Sequence, residues 1–373
     1  MQLVAMALIL AAVLAAQYFV YLRFGMKKLS YEITISVPEA FEGDEIEVVE
    51  QIENAKWLPL PWIRTEIRCS RWLSFVGQGS VIADRTEQRG LVSSVFMLKG
   101  YQRCKRTWRV KCEKRGVFTV DDVTLTISDL FGLVKSMGIF RVEKSVRVLP
   151  VPSELSADIM SDEAFIGDIS VQRFVLPDPF VISGAKEYTG REPMNRIHWA
   201  QTARTGALMV YNNEYTTERR VLVLMNMGRS VNDERIKLAL SALEGQIKAA
   251  AFVLDVCFKQ RAEVALFASS QPAVCEEAAS GYEHTIKLLR LLAELKNGCG
   301  EHIDDFLRHI SLHGYTDIVY IGQFLSPFAE ETFRTLSGQG VRFVIFSNHI
   351  EQTDFCEVFT FPRVHCSDEA GDG

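Results

Sequence analysis

Hydrophobic and polar positions follow three rhythms along this chain. Leu3–Leu22 carries no charged side chain, and its one strongly polar residue is Gln17. A helix drawn on this segment has no polar face. The pattern therefore predicts a membrane anchor over residues 1–23, with an apolar span of about 30 Å, the thickness of a bilayer core. Tyr18 and Tyr21 lie at one end, as interfacial aromatics do, and Arg23, Lys27 and Lys28 follow, which places that end and the rest of the chain on the cytoplasmic side. A signal peptide is the rival reading. The missing basic n-region and the missing small-x-small cleavage site count against it.

From Leu29 the period becomes two. Tyr31–Val37 alternates apolar and polar residues, and Glu45–Ile52 does so through Ile46, Val48 and Ile52. Trp62–Cys69, Ser94–Leu98, Thr107–Lys111, Thr119–Ile127 and Val146–Leu149 are further strand candidates. They are separated by turn signals at Pro38–Gly43, Pro59–Pro61, Gly77–Gly79, Lys99-Gly100 and Asp121-Asp122. Short strands at this spacing predict an antiparallel β-sandwich of immunoglobulin or fibronectin type over 29–151, held without a disulfide. Residues 152–217 read as a connecting segment, punctuated by Pro152, Pro177, Pro179 and Pro193, with one more candidate strand at Leu208–Tyr211.

The third rhythm is strand–helix alternation over 218–366. Val221–Met225, Glu263–Ala268, Asp317–Ile321 and Val341–Phe346 are apolar runs suited to parallel strands buried on both faces. Between them, Asp233–Phe252, Glu283–Lys296, Ile303–Leu312 and Ala329–Ser337 carry helical patterns. The expectation is a doubly wound α/β domain, followed by a frayed tail at 367–373.

Composition narrows the function. The formal net charge of −6 excludes nucleic acid as the main partner. The local cluster of Arg103, Lys105, Arg106 and Arg109 beside Tyr101 and Trp108 reads as a solvated strand edge. Eight cysteines occur without a C-x-x-C pair. Cys104 and Cys112 share strand parity but stand about 26 Å apart when extended, too far to bridge. Scattered thiols of this kind belong to a reducing, cytosolic compartment.

The stretch 181–225 is dense in unusual residues: Tyr188, Gly190, R-I-H-W at Arg196–Trp199, and A-R-T-G-A-L at Ala203–Leu208, running into the Val221–Met225 strand. With K-R-G-V-F at Lys114–Phe118, D-L-F-G-L at Asp129–Leu133 and R-V-L-P at Arg147–Pro150, it resembles the signature of the DUF58 family. The resemblance covers roughly 110–230. It implies that the α/β domain is von Willebrand factor A-like and that the partner is a MoxR-type AAA+ ATPase, in assembly or activation of other complexes near the membrane. The family's Gly-Asp stands here as Gly190-Arg191, which removes an acidic partner for the nearby arginines.

Ligands of open α/β sheets bind beyond the carboxyl ends of the strands. Metal-binding A domains place a D-x-S-x-S loop there, whose carboxylate and hydroxyls suit a magnesium-type ion. The matching positions are Asn226, Gly228 and Ser230, and the later aspartate of the family is Gln323. With both carboxylates gone, this reads as a degenerate site holding no metal and no other cofactor. Arg196 and Arg204 are fixed-fork donors for carboxylates, Trp199 can stack on a guanidinium, and His198 lies between them. Either these residues form an anion or peptide-carboxylate pocket, or Arg and Trp lock the connecting segment in place; the second is preferred. His309 and His313 have i, i+4 metal-ligand spacing but lack a third ligand. No nucleophile elbow, P-loop or dinucleotide fingerprint occurs, so no catalytic residue is assigned. The expected function is a membrane-anchored, non-catalytic interaction and assembly protein. A metal-dependent A-like receptor and an envelope-associated hydrolase are the alternatives.

Overall fold

A computed structural model describes residues 2–76, 80–83, 89–129, 131–152, 182–188, 197–213, 219–228, 240–296, 303–309, 312, 314–350 and 353–360. The chain divides into two compact units. The first comprises 1–152 together with 286–296; the second comprises 153–285 and 297–373.

The first unit opens with helix α1 (Gln2–Phe24), apolar on every side and long enough to cross a membrane. Its last turns are held by polar contacts. Gln17 donates to Asp129 Oδ2 (3.0 Å), and the buried Tyr21 donates its hydroxyl to the Pro59 carbonyl (3.0 Å). Among the described residues ten strands follow: β1 (Leu29–Ile35), β2 (Glu39–Phe41), β3 (Glu45–Asn54), β4 (Leu60–Ser70), β5 (Leu73–Val76), β6 (Ser80–Ala83), β7 (Arg89–Leu98), β8 (Gln102–Cys112), β9 (Gly116–Ser128) and β10 (Lys135–Leu149). They form a four-stranded sheet, β1-β3-β8-β5, and a six-stranded sheet, β2-β10-β9-β4-β7-β6. All pairings are antiparallel except β2 with β10. Alternate residues point inward. Ile33, Ile52, Ile63, Ile67, Leu125 and Val110 share one core, which makes this an immunoglobulin-like β-sandwich.

Several expectations are corrected here. The Pro38–Gly43 turn contains β2, and β9 runs straight through Asp121-Asp122. β8 pairs with β3 over Gln102–Lys111 but with β5 only over Arg109–Cys112, so among the described residues its Arg103–Arg106 part borders a strand of its own sheet on one side, as the edge reading expects. Its residues alternate: Arg103, Lys105 and Arg109 face solvent, while Arg106 turns over the Phe96 and Trp108 rings at 4.5 and 5.5 Å. Within the same unit, the buried Arg115 of the K-R-G-V-F element donates to the buried carbonyls of Leu292, Ala293 and Leu295 at the end of a helix, where carbonyls lack an intrahelical partner.

The second unit contains a two-stranded ribbon, β11 (Ile182–Glu187) with β12 (Met209–Asn213), and the short helix α2 (Trp199–Thr205). Its main sheet uses β13 (Arg220–Met225), β14 (Glu263–Ala268), β15 (Val274–Ala279), β16 (Asp317–Ile321), β17 (Arg342–Phe346) and β18 (Glu357–Phe359), in the order β15-β14-β13-β16-β17-β18. Every pairing is parallel except β14 with β15, so an antiparallel strand closes one edge. The helices are α3 (Leu240–Lys259), α4 (Tyr282–Glu294, whose residues from Ile286 belong to the first unit), α5 (Ile303–His309) and α6 (Pro327–Gly338). The β13 and β16 strands are buried at nearly every position because the sheet is covered on both faces. Residues 233–239 of the expected first helix lie outside the described residues.

Candidate functional site

The connections from β13 wind to β14 on one side, and β16 lies on the other, so the sheet order reverses at β13. A crevice for ligands is expected beyond its carboxyl end. Asn226 is the first residue past that end. Its backbone N–H donates to Ile321 O (2.8 Å), which keeps it in register with β16. Its side chain is buried, and both ends of the amide are engaged. Nδ2 donates to Tyr320 Oη (2.8 Å) and to Phe324 O (3.1 Å), and Oδ1 accepts from the N–H of Gly228 (2.9 Å). Tyr320 Oη in turn donates to Phe324 O. Burial pushes the Tyr320 phenol well above its ordinary pKa, with the Asn226 hydrogen bond opposing, so the hydroxyl stays protonated and neutral.

Neighbours close the crevice further. Ser269 Oγ accepts from Met227 N (2.8 Å), and Gln246 Nε2 reaches the Asn226 carbonyl (3.4 Å). A Cβ on Gly322 would come within 3.0 Å of Asn226 Cβ and of the Tyr320 ring, so a larger residue would have to push these side chains aside where the two loops meet. Ser326 caps α6 by accepting from Ala329 N (3.0 Å) and donates to Asp304. A hard divalent cation needs several oxygen ligands free to face it. Here the amide oxygen faces a backbone N–H, and the later position is the neutral, half-buried Gln323. Among the described residues no group of three His, Cys, Asp or Glu side chains could hold a metal. Ser230 lies outside the described residues.

The signature segment builds a small cap around β12. Ile197 bridges Val210, both buried, and the His198 N–H donates to Met209 O (2.7 Å). The His198 ring accepts from Gln201 N (3.2 Å) as the N-cap of α2, Thr202 Oγ1 accepts from Met209 N (2.9 Å), and Gly206 ends the helix at φ 74°. Tyr188 donates its N–H to Leu208 O (2.8 Å). Ile197, Val210 and backbone bonds hold the described part of this segment, while Trp199 is 67% exposed and Arg204 is exposed on the same short helix. Gly190 and Arg196 lie outside the described residues. His309 Nδ1 sits 2.6 Å from Asp305 O, its own helix's carbonyl, and His313 lies outside the described residues.

One buried polar centre escaped the sequence reading. Glu50, fully buried in the sandwich core, accepts four hydrogen bonds. Tyr31 Oη (2.8 Å) and Thr65 Oγ1 (2.9 Å) bind Oε1; Ser94 Oγ (2.9 Å) and Trp108 Nε1 (2.8 Å) bind Oε2. Burial, then the adjacent carboxylate, drives the Tyr31 phenol far above its ordinary pKa. The signal was present: Glu50 occupies the inward parity between Val48 and Ile52. A carboxylate sealed by Thr65, Ser94 and Trp108 cannot reach a substrate, so its chemistry is structural. Three thiols are equally unsuited to attack, since burial pushes Cys69 and Cys257 up to about 12 and Cys112 up to about 11.

No family model matches the chain, and no curated protein matches it. Solved structures do match over about a third of it. A CARDB domain from Pyrococcus furiosus is 11% identical, with 32% of this chain and 91% of that one covered and a TM-score of 0.22. A non-cellulosomal cohesin from Archaeoglobus fulgidus is 17% identical, with 36% and 99% covered and a TM-score of 0.22. The major pilin SpaD of Corynebacterium diphtheriae is 12% identical, with 30% and 34% covered and a TM-score of 0.23. Similarity at this level carries no functional argument.

Proposed function

We propose that the chain is a membrane-anchored, non-catalytic interaction protein of the DUF58 type. Its α/β unit is then a von Willebrand A-like module without a metal, and its partner a MoxR-type AAA+ ATPase. The observation that carries this reading is the Asn226 amide, which spends both its ends on Tyr320, Phe324 and Gly228 at the point where a metal-dependent module needs a free carboxylate. The strand order, with its antiparallel edge, supports the A-like assignment. The apolar helix Gln2–Phe24, followed by Lys27 and Lys28, supports an anchor with the bulk of the chain on the cytoplasmic side. The partner class follows from the resemblance alone. Trp199 and Arg204, exposed on a rigidly capped helix, are the residues assigned to partner contact.

The test is an affinity pull-down of the detergent-solubilised full chain from its host, with and without EDTA, in the absence of added nucleotide. The expected result is an AAA+ ATPase recovered equally in both arms. Loss of that ATPase in EDTA, with return on adding magnesium, would move the assignment to a metal-dependent receptor.

A further inference from the structure

The D-L-F-G-L turn has no part in the function above, yet its construction is specific. Asp129 is buried and uses both carboxylate oxygens: Oδ1 accepts from Val134 N (2.9 Å), closing the turn, and Oδ2 accepts from Gln17 of α1 (3.0 Å). Gly132 takes φ 73°, which reverses the chain so that Phe131 and Leu133 project outward. Two loops lie at the same end of the sandwich. Residues 55–59 meet α1 through the Tyr21–Pro59 bond and present Trp57; the 99–101 loop meets them through Tyr101 N–H to Lys56 O (3.0 Å) and presents Tyr101. Trp57, Tyr101, Phe131 and Leu133 are each more than half exposed.

Depth follows from the helix. Ile127 packs at the level of Gly25, and Asp129 reaches back to Gln17, so β9 runs against α1 towards its N-terminus. Gln17 lies five residues before Leu22, the end of the apolar segment, or about 8 Å along the axis. If Leu3–Leu22 fills the hydrocarbon core, the turn at 129–134 cannot remain in bulk water. Aromatic and leucine side chains at that depth, with Lys99 and Lys135 exposed beside them and Arg23, Lys27 and Lys28 on α1's exit, match the chemistry of a bilayer interface and its phosphate groups.

We propose that this loop end is a second membrane attachment: Trp57, Tyr101, Phe131 and Leu133 insert into the lipid interface beside α1, with Lys99 and Lys135 at headgroup level. The inference rests on the anchor reading of α1. It is tested with the full chain reconstituted in phosphatidylcholine–phosphatidylglycerol vesicles, carrying the photoreactive residue p-benzoylphenylalanine at one position at a time. The positions are Phe131, Tyr101, Leu10 within α1, and Phe41 at the opposite end of the sandwich. The expected result is lipid adducts at Phe131 and Tyr101 at least about five-fold above those at Phe41, as interfacial anchors require. Adducts at Leu10 with Phe131 and Tyr101 no higher than Phe41 would overturn the rim insertion and leave the anchor standing. Protein–protein adducts at Phe131 in place of lipid adducts would overturn it in favour of a second copy. Absence of lipid adducts even at Leu10 would overturn the anchor and the rim together.

Discussion

Glu50 in the sandwich and Asn226 at the end of β13 are both buried polar side chains at the centre of their units, and both are fully hydrogen-bonded. They differ in what would follow from a change. Glu50 is an acceptor surrounded by four donors from four strands, so it ties β1, β4, β7 and β8 to β3. Asn226 is donor and acceptor at once, and it joins loops rather than strands. The first is a rivet inside a closed core. The second sits where the strand order reverses, and its amide is spent on neighbouring groups. A buried acid and a buried amide can thus both be structural, one tying strands and the other tying loops.

Glu50→Ala breaks the comparison most severely. It removes the acceptor shared by four donors, leaving Trp108 Nε1 unpaired and Thr65 and Ser94 only each other (2.7 Å), and should cost about 3–5 kcal/mol, read as a large fall in the sandwich's unfolding temperature. Trp108→Phe, which removes one of the four bonds, should cost about 1–2 kcal/mol. A Glu50→Ala protein as stable as the parent would show that the network contributes nothing.

Asn226→Asp sharpens the other side. A carboxylate there would face the Phe324 carbonyl, where the Nδ2 donor now sits, and should cost about 1–3 kcal/mol. Adding about 1 mM magnesium, about a thousand-fold above a micromolar site, should not restore the loss. A thermal shift upward with magnesium in this variant alone would reveal latent ligands around position 226.

Lys56 makes a control for both centres, because it is buried, 7% exposed, and its ammonium has no acceptor among the described residues. Burial lowers its pKa from 10.5 to about 8. Below about 8 the folded chain carries the full penalty of the buried charge. As pH rises from 8 towards 10.5 the folded state sheds its proton while the unfolded chain keeps it, so stability rises through that window. Lys56→Met should flatten this rise and stabilise the protein at neutral pH by about 1–2 kcal/mol, as measured by thermal unfolding across pH. An unchanged pH profile would show that the amine finds a partner. The smallest stability effect belongs to Trp199→Ala with Arg204→Ala: within about 0.5 kcal/mol, since both side chains are exposed, but with recovery of the ATPase lost.

Legibility followed burial. Glu263–Ala268 and Asp317–Ile321 were bounded to the residue, because strands covered on both faces are continuous apolar runs. The short strands β2, β5, β6, β15 and β18 went unread, since three to six residues give period-two alternation too little length. The first half of β10 was missed because Lys135, Met137, Ile139 and Arg141 face outward, Gly138 interrupts the inward row, and the register shifts between Arg141 and Lys144. At the candidate site, the loss of the acid at 226 was visible in the sequence. The partners of its amide were not, because Tyr320 and Phe324 lie almost a hundred residues away and meet it only through the parallel pairing of β13 with β16.

The central claim is that the α/β unit works without a metal. Calorimetric titration of magnesium, and separately manganese, into the EDTA-stripped full chain tests it most directly. The account predicts no saturable heat at up to millimolar-scale ion, about where a weak all-protein site would still register. One-to-one binding that disappears in Asn226→Ala would contradict it.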